Sequence, residues 1–387
     1  MSIAFIDLQA QRARISDEID RAIAAVLEHG KFVMGPEVQA FEEEMSKFSG
    51  AGFTAGCANG TEALALPLMA WELRTGDAVF CPSFTFTATA EVVPWLGASA
   101  VFVDIDPRTY NMDPASLEAA IEDVVKRGEL KPRAIIAVDL FGQPADYPAI
   151  RKIADRYGLK LIADSAQGFG CTIDGKHPIE WADVVTTSFF PAKPLGCYGD
   201  GGAIQTNDQE MWELLDSLRV HGKASQADMD AARYSGHEAK YMNPRIGMNS
   251  RLDTIQAAIL LEKLKIFAEE IELREKVANR YNQGLEGAVS SVPFVKEGYQ
   301  SVWAQYTIEV EGRDALQARL REAGVPTAVY YPIPMHEQGP YRRFPTAPGG
   351  LPVTEDKKST VVSLPMHPYL DEATQDRVIE AVRAAQS

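Results

Sequence analysis

The sequence predicts an α/β protein: a mostly parallel central sheet flanked by helices, followed by a small α+β C-terminal domain. Three observations carry this. Over the first two thirds of the chain, short apolar runs alternate with amphipathic segments of helical length. That alternation calls for right-handed βαβ crossovers and hence parallel strands. The stretch 251–285 contains no proline, keeps a helical period and meets its first glycine only at Gly284. Beyond it, strand-like WAQYTIEV (303–310) and helix-like RDALQARLREAG (313–324) precede a proline-rich return. The expected division is a large α/β domain over 1–250, a bridging helix over 251–284 and a small domain over 285–387. A length of 387 residues accommodates two to three such units and a large buried core.

The elements follow in order. FTAGC (53–57) reads as a strand, leading into NGTEALALPLMAWEL, a helix with a polar start. DAVFC (77–81) is a strand, TFTATAEVVPWLG a helix ending at Gly97, and SAVFVDID (99–106) a strand. In DPASLEAAIEDVV (113–125), Asp113 stands at the N-cap and Pro114 at the first helical position, a strong start signal. RAIIAVDLFG (133–142) and LKLIADSA (159–166) are strands around the helix DYPAIRKIADRYG (146–158), which Gly158 ends. DVVTTSFF (183–190) and GGAIQTN (201–207) are two more strands. The segment 221–247 is polar and weakly periodic, an excursion over the surface.

Composition narrows the function classes. Lys and Arg total 38 against 54 Asp and Glu, a net charge of −16. An acidic surface repels nucleic-acid phosphates, although a local basic pocket can still take a small anion. Four scattered cysteines, with no CxxC spacing, argue against a disulfide framework or a metal site and suit a reducing cytoplasm. The amino end turns charged at Asp7, so it has no signal-peptide core. Between Asp77 and Asp104 the sole charge is Glu91, but prolines and hydroxyl residues interrupt the run. It reads as buried strand, helix and strand rather than a membrane span.

In parallel sheets, ligands bind beyond the carboxyl ends of the strands, so the polar residues there matter most. GCTIDGKH (170–177) nearly spells a phosphate loop, but His177 and Pro178 replace the required hydroxyl and helix start, and a hairpin turn at Asp174-Gly175 fits better. GCYGDGG (196–202) lacks the GxGxxG spacing and opens a strand, which argues against a Rossmann dinucleotide site. In SFFPAKPLGCYGDGGAI (188–204), Lys193 sits between two prolines with no other charge from Val184 to Tyr198. Lysines ordinarily face water, but this setting lowers an amine's pKa, as a Schiff-base lysine requires. Asp164 ends an apolar strand; it reads either as a helix cap or as the partner of a pyridinium nitrogen that keeps pyridoxal phosphate an electron sink. Asn59-Gly60-Thr61 opens a helix after a strand, a natural phosphate cradle or a simple capping turn. Phe84 or Phe86 can stack on a planar cofactor or belong to the core.

The ordered set CANGTEAL, PSFTFTATAE, VDIDPRTYNMDP, DSAQGFG, SFFPAKPLGCYGDGGAI, RIGMNSRLDTIQAAIL, YYPIPMH and SLPMHPYL resembles the DegT/StrS family of sugar aminotransferases over nearly the whole chain. The resemblance implies the aspartate-aminotransferase fold (fold type I), pyridoxal 5'-phosphate, nucleotide-linked keto-sugar substrates and a homodimer with active sites at the subunit interface. It implies that Lys193 holds the cofactor as a Schiff base and that Asp164 pairs with the ring nitrogen. Gln167 would contact the ring or its hydroxyl. Gly60, Thr61 and Ser188 would bind the phosphate, and Phe86 would stack on the ring. Asn249 would reach the phosphate from the other subunit. Arg251, two residues after Asn249, could approach the same pocket and read a sugar carboxylate, and His336 is a further candidate substrate contact. Family dehydratases carry histidine in place of this lysine, so Lys193 disfavours that branch. Within the family the wording most resembles the O-antigen and lipopolysaccharide enzymes that aminate UDP-2-acetamido-2-deoxy-3-oxo-glucuronate with glutamate. Alternatives are a 4-keto-6-deoxy nucleotide sugar as substrate, or a non-catalytic cofactor-binding regulator. The loop 223–244 matches nothing in the pattern.

Overall fold

The computed structural model describes residues 3–225, 228–230 and 241–386, so the loop expectation for 223–244 falls partly outside the described residues. Seven strands make one sheet: β1 (Phe53–Cys57), β2 (Asp77–Pro82), β3 (Ser99–Val103), β4 (Lys131–Val138), β5 (Lys160–Asp164), β7 (Val184–Ser188) and β8 (Gly202–Thr206). Their spatial order is β1-β8-β7-β5-β4-β2-β3. Every neighbouring pair is parallel except the two that involve β8, which runs against both β1 and β7. The reversal has a local cause. No helix lies between β7 and β8, and without a crossover the chain can only return antiparallel. The central strands are buried on both faces, which explains their unbroken apolar runs.

The flanking helices are α4 (Gly60–Ala70), α5 (Ala88–Trp95), α6 (Pro114–Arg127), α7 (Tyr147–Tyr157) and α8 (Gln209–Leu218). Helix α6 shows how tightly its ends are written: the Asp113 side chain accepts from the Ala115 and Ser116 amides, Pro114 opens the helix, and Gly128 closes it at φ 67°. Three helices precede the sheet, α1 (Leu8–Arg14), α2 (Ser16–His29) and α3 (Pro36–Ser49). The near-phosphate-loop at 170–177 is a turn following the short strand β6 (Thr172–Ile173), with Asp174 and Gly175 both left-handed and Ile173 bridging to Lys176.

Helix α9 (Thr254–Leu285) spans 32 residues. Its first part packs on α2 and α3, and its far part packs on α11 (Glu372–Gln386). There a second core forms around Tyr281, Tyr306, Ile308, Leu320 and Val378, built on β10 (Tyr306–Glu309), α10 (Arg313–Glu322) and β11 (Val361–Leu364). Strand β10 pairs antiparallel with β11. Contacts cross the proposed division at 285. Strand β9 (Tyr299–Gln300) pairs with β6, and Met335, Tyr341, Ala347 and Leu351 pack into the core of the large domain. In the other direction, Ile3 joins the small-domain core and the Phe5 carbonyl accepts from the Met366 amide at 3.1 Å. Among the described residues no helix is long and apolar enough to cross a membrane, and no group of three or more His, Cys, Asp or Glu is placed to hold a metal.

Candidate active site

A cavity of about 750 Å³ opens where β1, β2, β5 and β7 end. Lys193 enters it on a loop that closes on itself. The Lys193 amide donates to Phe190 O at 2.8 Å, and the Cys197 amide donates to Phe189 O at 2.8 Å. Gly196 makes this closure possible, because a Cβ there would lie 2.5 Å from Pro191 O. Burial lowers the Lys193 amine below the ordinary lysine value, and the nearby Asp164 charge partly opposes this. Its Nζ makes no hydrogen bond to any described residue.

Asp164, the last residue of β5, is only 5% exposed. Its Oδ2 accepts from the Thr89 hydroxyl at 2.9 Å and its Oδ1 from the Ala166 amide at 3.2 Å. Burial pushes the carboxyl up; the two hydrogen bonds and the Lys193 charge pull it back toward the ionised form. Gln167 is fixed at both ends of its amide: Oε1 accepts from the Phe141 amide, and Nε2 donates to the Tyr331 hydroxyl, each at 2.9 Å. Tyr331 is a cavity-lining residue that sequence reasoning missed. Its only signal is the aromatic pair in YYPIPMH, 164 residues from Gln167.

The anion cradle is built from chain segments far apart in sequence. Asn59 caps α4 by accepting from the Glu62 amide at 2.9 Å. Gly60 stands so close to Ser188 that a Cβ would lie 2.6 Å from the serine Cβ. Thr61 and Ser188 line the cavity beside the free amides of the first turn of α4. A helix N-terminus with two hydroxyls suits a phosphate. The two phenylalanines separate cleanly: Phe84 is fully buried with its ring edge-on to Tyr331, whereas Phe86 is 56% exposed in the cavity wall.

Three expected site residues lie outside this cavity. Asn249 is exposed just before α9, its backbone bridging to Val220, and Arg251 is half-buried two residues on. His336 is turned away. Its Nδ1 lies 2.7 Å from Ser83 Oγ, which also accepts the His336 amide, and its Nε2 lies 3.5 Å from Glu355. The histidine pins its segment to the end of β2, while Tyr330–Ile333 and Gln338 supply the cavity wall there.

A buried carboxylate, a lysine amine with no hydrogen-bond partner among the described residues and a cradle too tight for a Cβ at Gly60 fit a flat cofactor that is cationic at one edge and carries a phosphate at another. Together with the single reversed strand, they define the pyridoxal-phosphate enzymes of the aspartate-aminotransferase fold. The chain belongs to the DegT/DnrJ/EryC1/StrS aminotransferase family, whose pattern matches residues 13–383. It is 48% identical to the UDP-2-acetamido-2-deoxy-3-oxo-D-glucuronate aminotransferase of Pseudomonas aeruginosa, over 96% of this chain and 97% of that protein. It is 39% identical to the UDP-N-acetyl-3-dehydro-alpha-D-glucosamine 3-aminotransferase of Acidithiobacillus ferrooxidans, over 99% and 97%. A family aminotransferase from Brucella abortus superposes with TM-score 0.94 at 50% identity, covering 99% of each chain. NtdA of Bacillus subtilis, solved with pyridoxamine phosphate bound, superposes with TM-score 0.86 at 32% identity, over all of this chain and 85% of that one.

Proposed function

We propose that the protein is a cytoplasmic, pyridoxal-phosphate-dependent transaminase that moves an amino group from glutamate to a UDP-linked 3-keto sugar, UDP-2-acetamido-2-deoxy-3-oxo-glucuronate, for surface-polysaccharide synthesis. The observation that carries it is Lys193 and Asp164 lining one cavity, with the Gly60–Ser188 cradle beside them. The bound cofactor supplies a carbonyl that takes up the donor's amine and an electron-sink ring. Burial lowers the Lys193 amine below the ordinary lysine value, which favours the uncharged Nζ that a base requires. It removes the proton from the donor's amino-bearing carbon and later delivers one to C3 of the sugar. Asp164 would hold the ring nitrogen and keep its charge there. Gly60, Thr61 and Ser188 would hold the phosphate, Gln167 braced by Tyr331 would orient the ring, and Phe86 would pack against it.

The reading includes a homodimer in which Asn249 and Arg251 enter the partner's site. Its support is the apolar surface around that segment: Phe32 is 47%, Val33 50% and Ile246 91% exposed. Phe32 and Val33 are tied to the start of α9, the Phe32 carbonyl accepting from the Thr254 amide at 3.0 Å. The preference for a uronate rests on the higher identity to the glucuronate enzyme and on Arg251, whose guanidinium can grip a carboxylate through two parallel bonds.

The test has two parts. Borohydride reduction of the holoenzyme should fix the cofactor to the peptide containing Lys193, and Lys193→Ala should abolish turnover; labelling at another lysine rejects the assignment. Arg251→Ala should cost about 1.5–3 kcal/mol, roughly 10- to 150-fold in kcat/KM, on the uronate and little on an analogue with CH₂OH at C5. Equal losses on both, or a wild type that prefers a 4-keto-6-deoxy sugar, reject the uronate.

A further inference from the structure

The loop that carries Lys193 is held from behind by one face of α9. Gln256 Oε1 accepts the Tyr198 amide at 2.8 Å. Lys263, seven residues and two turns further along the same face, donates from Nζ to Gly196 O at 2.6 Å. The same Nζ lies 4.3 Å from the centroid of the Tyr198 ring. Between these two anchors, Ala257 and Leu260 pack into one core with Phe189, Leu195 and Cys197.

Lys263 is an unusual way to make such a contact. It is 1% exposed, among the largest fully buried side chains, and no described carboxylate lies within ion-pair distance. An ammonium buried against a carbonyl and an aromatic face is poorly repaid for its lost hydration. Burial pulls it down to about 8; the groups that oppose this, Glu270 and Cys197, do so only through space. A methionine of similar volume would serve the core better. The benefit therefore lies in what the ammonium touches. Gly196 is the residue on which the loop closes, and it tolerates no side chain: a Cβ would lie 2.5 Å from Pro191 O and 2.7 Å from Phe190 O. Fixing its carbonyl fixes the peptide plane three residues beyond Lys193.

We propose that Lys263 is a positioning residue for the amino-transfer reaction, its ammonium holding the Gly196 carbonyl so that the closed loop aims the Lys193 amine into the cavity. This rests on Lys193 being the reacting amine, as proposed above. Lys263 touches neither cofactor nor substrate, since it does not line the cavity. Its contribution is orientation, where a displacement of about 1 Å costs on the order of 100-fold in rate.

The experiment compares the Lys263→Met holoenzyme with wild type, using glutamate and the UDP-linked 3-keto sugar. Expected are a folded protein that unfolds at or above the wild-type temperature, a kcat about 10- to 100-fold lower with KM for the sugar unchanged, and a shifted pH midpoint for the cofactor's colour change. A folded Lys263→Met with wild-type kcat and colour change overturns the proposal. Should that variant not fold, Lys263→Gln, whose amide stops one atom short of the ammonium, is judged by the same two measurements. Lys193→Ala runs alongside. If it keeps turnover, the reading of Lys193 itself fails, a result distinct from an inactive Lys193→Ala beside a fully active Lys263→Met.

Discussion

Asp139 is the residue whose importance the sequence hides best. Its amide donates to Asp164 O at 3.0 Å, so it lies alongside the end of the site strand. Its carboxyl accepts from Tyr147 Oη at 2.6 Å, from the Ala145 amide at 3.0 Å and from the Ser165 hydroxyl. Full burial nevertheless pushes it up to about 7. Between the usual carboxylate range and about pH 7, the folded chain keeps a proton that the unfolded chain has released. Stability from this group is therefore present at low pH and lost as pH rises through that window. Asp139→Asn should flatten that decline, which urea unfolding at a series of pH values measures; an unchanged pH slope rejects the assignment. In sequence, Asp139 and Asp164 look alike, each an aspartate closing an apolar run. Only the cavity distinguishes them, Asp164 lining it and Asp139 lying behind. Lys193 was legible because its loop contains no other charge. Tyr331 was not, because nothing local ties it to Gln167.

The elements of the large domain were readable because central strands buried on both faces must be apolar throughout. Four of the boundary errors share one direction. The expected runs 99–106, 133–142, 159–166 and 183–190 all overshoot strands that end at Val103, Val138, Asp164 and Ser188. Beyond β5 and β7 the chain leaves the sheet and lines the cavity with Ala166, Gln167 and Phe190, and hydropathy cannot register the loss of ladder hydrogen bonds. The reversal of β8 is equally invisible to hydropathy, since alternation carries no direction. Helices α1–α3 carry no strand between them and fall outside the βα rhythm that made the rest legible. At this scale Gly60 gives the sharpest prediction. Gly60→Ala drives a methyl against Ser188 and should widen the cradle at a cost of about 1–3 kcal/mol. It should weaken cofactor affinity roughly 5- to 150-fold while leaving Lys193 reducible with borohydride once cofactor is saturating. Unchanged affinity by cofactor titration would place the phosphate elsewhere.

For the whole molecule, the proposed dimer makes a prediction that no single chain can. If Asn249 serves the partner's site, a mixed dimer of Lys193→Ala and Asn249→Ala chains has one site with both changes and one with neither. Co-expressed chains should recover about half the wild-type activity per mixed dimer, although each parent is impaired. No recovery from verified mixed dimers would put Asn249 outside the partner's site. The interleaving of the domains was beyond sequence reading for a related reason. Met335, Ala347 and Leu351 return to the first core, and Ile3 crosses to the second, through packing that joins residues hundreds of positions apart. Periodicity sees only a few turns of helix or a single strand, so it divides the chain where the pattern changes rather than where the contacts lie.

The lone antiparallel strand also sets a timetable. Strand β1 lies at the sheet edge with β8 as its one strand neighbour among the described residues, and Gly202 packs against the carbonyl of Asn59. On a translating ribosome, the first strand and the loop that begins the proposed phosphate cradle therefore wait for a partner made much later. At about 5–20 residues per second that delay is on the order of ten seconds. The cradle is thus among the last parts of the large domain to be completed, and a nascent chain released before β8 emerges has β1 unpaired and no finished seat for the cofactor.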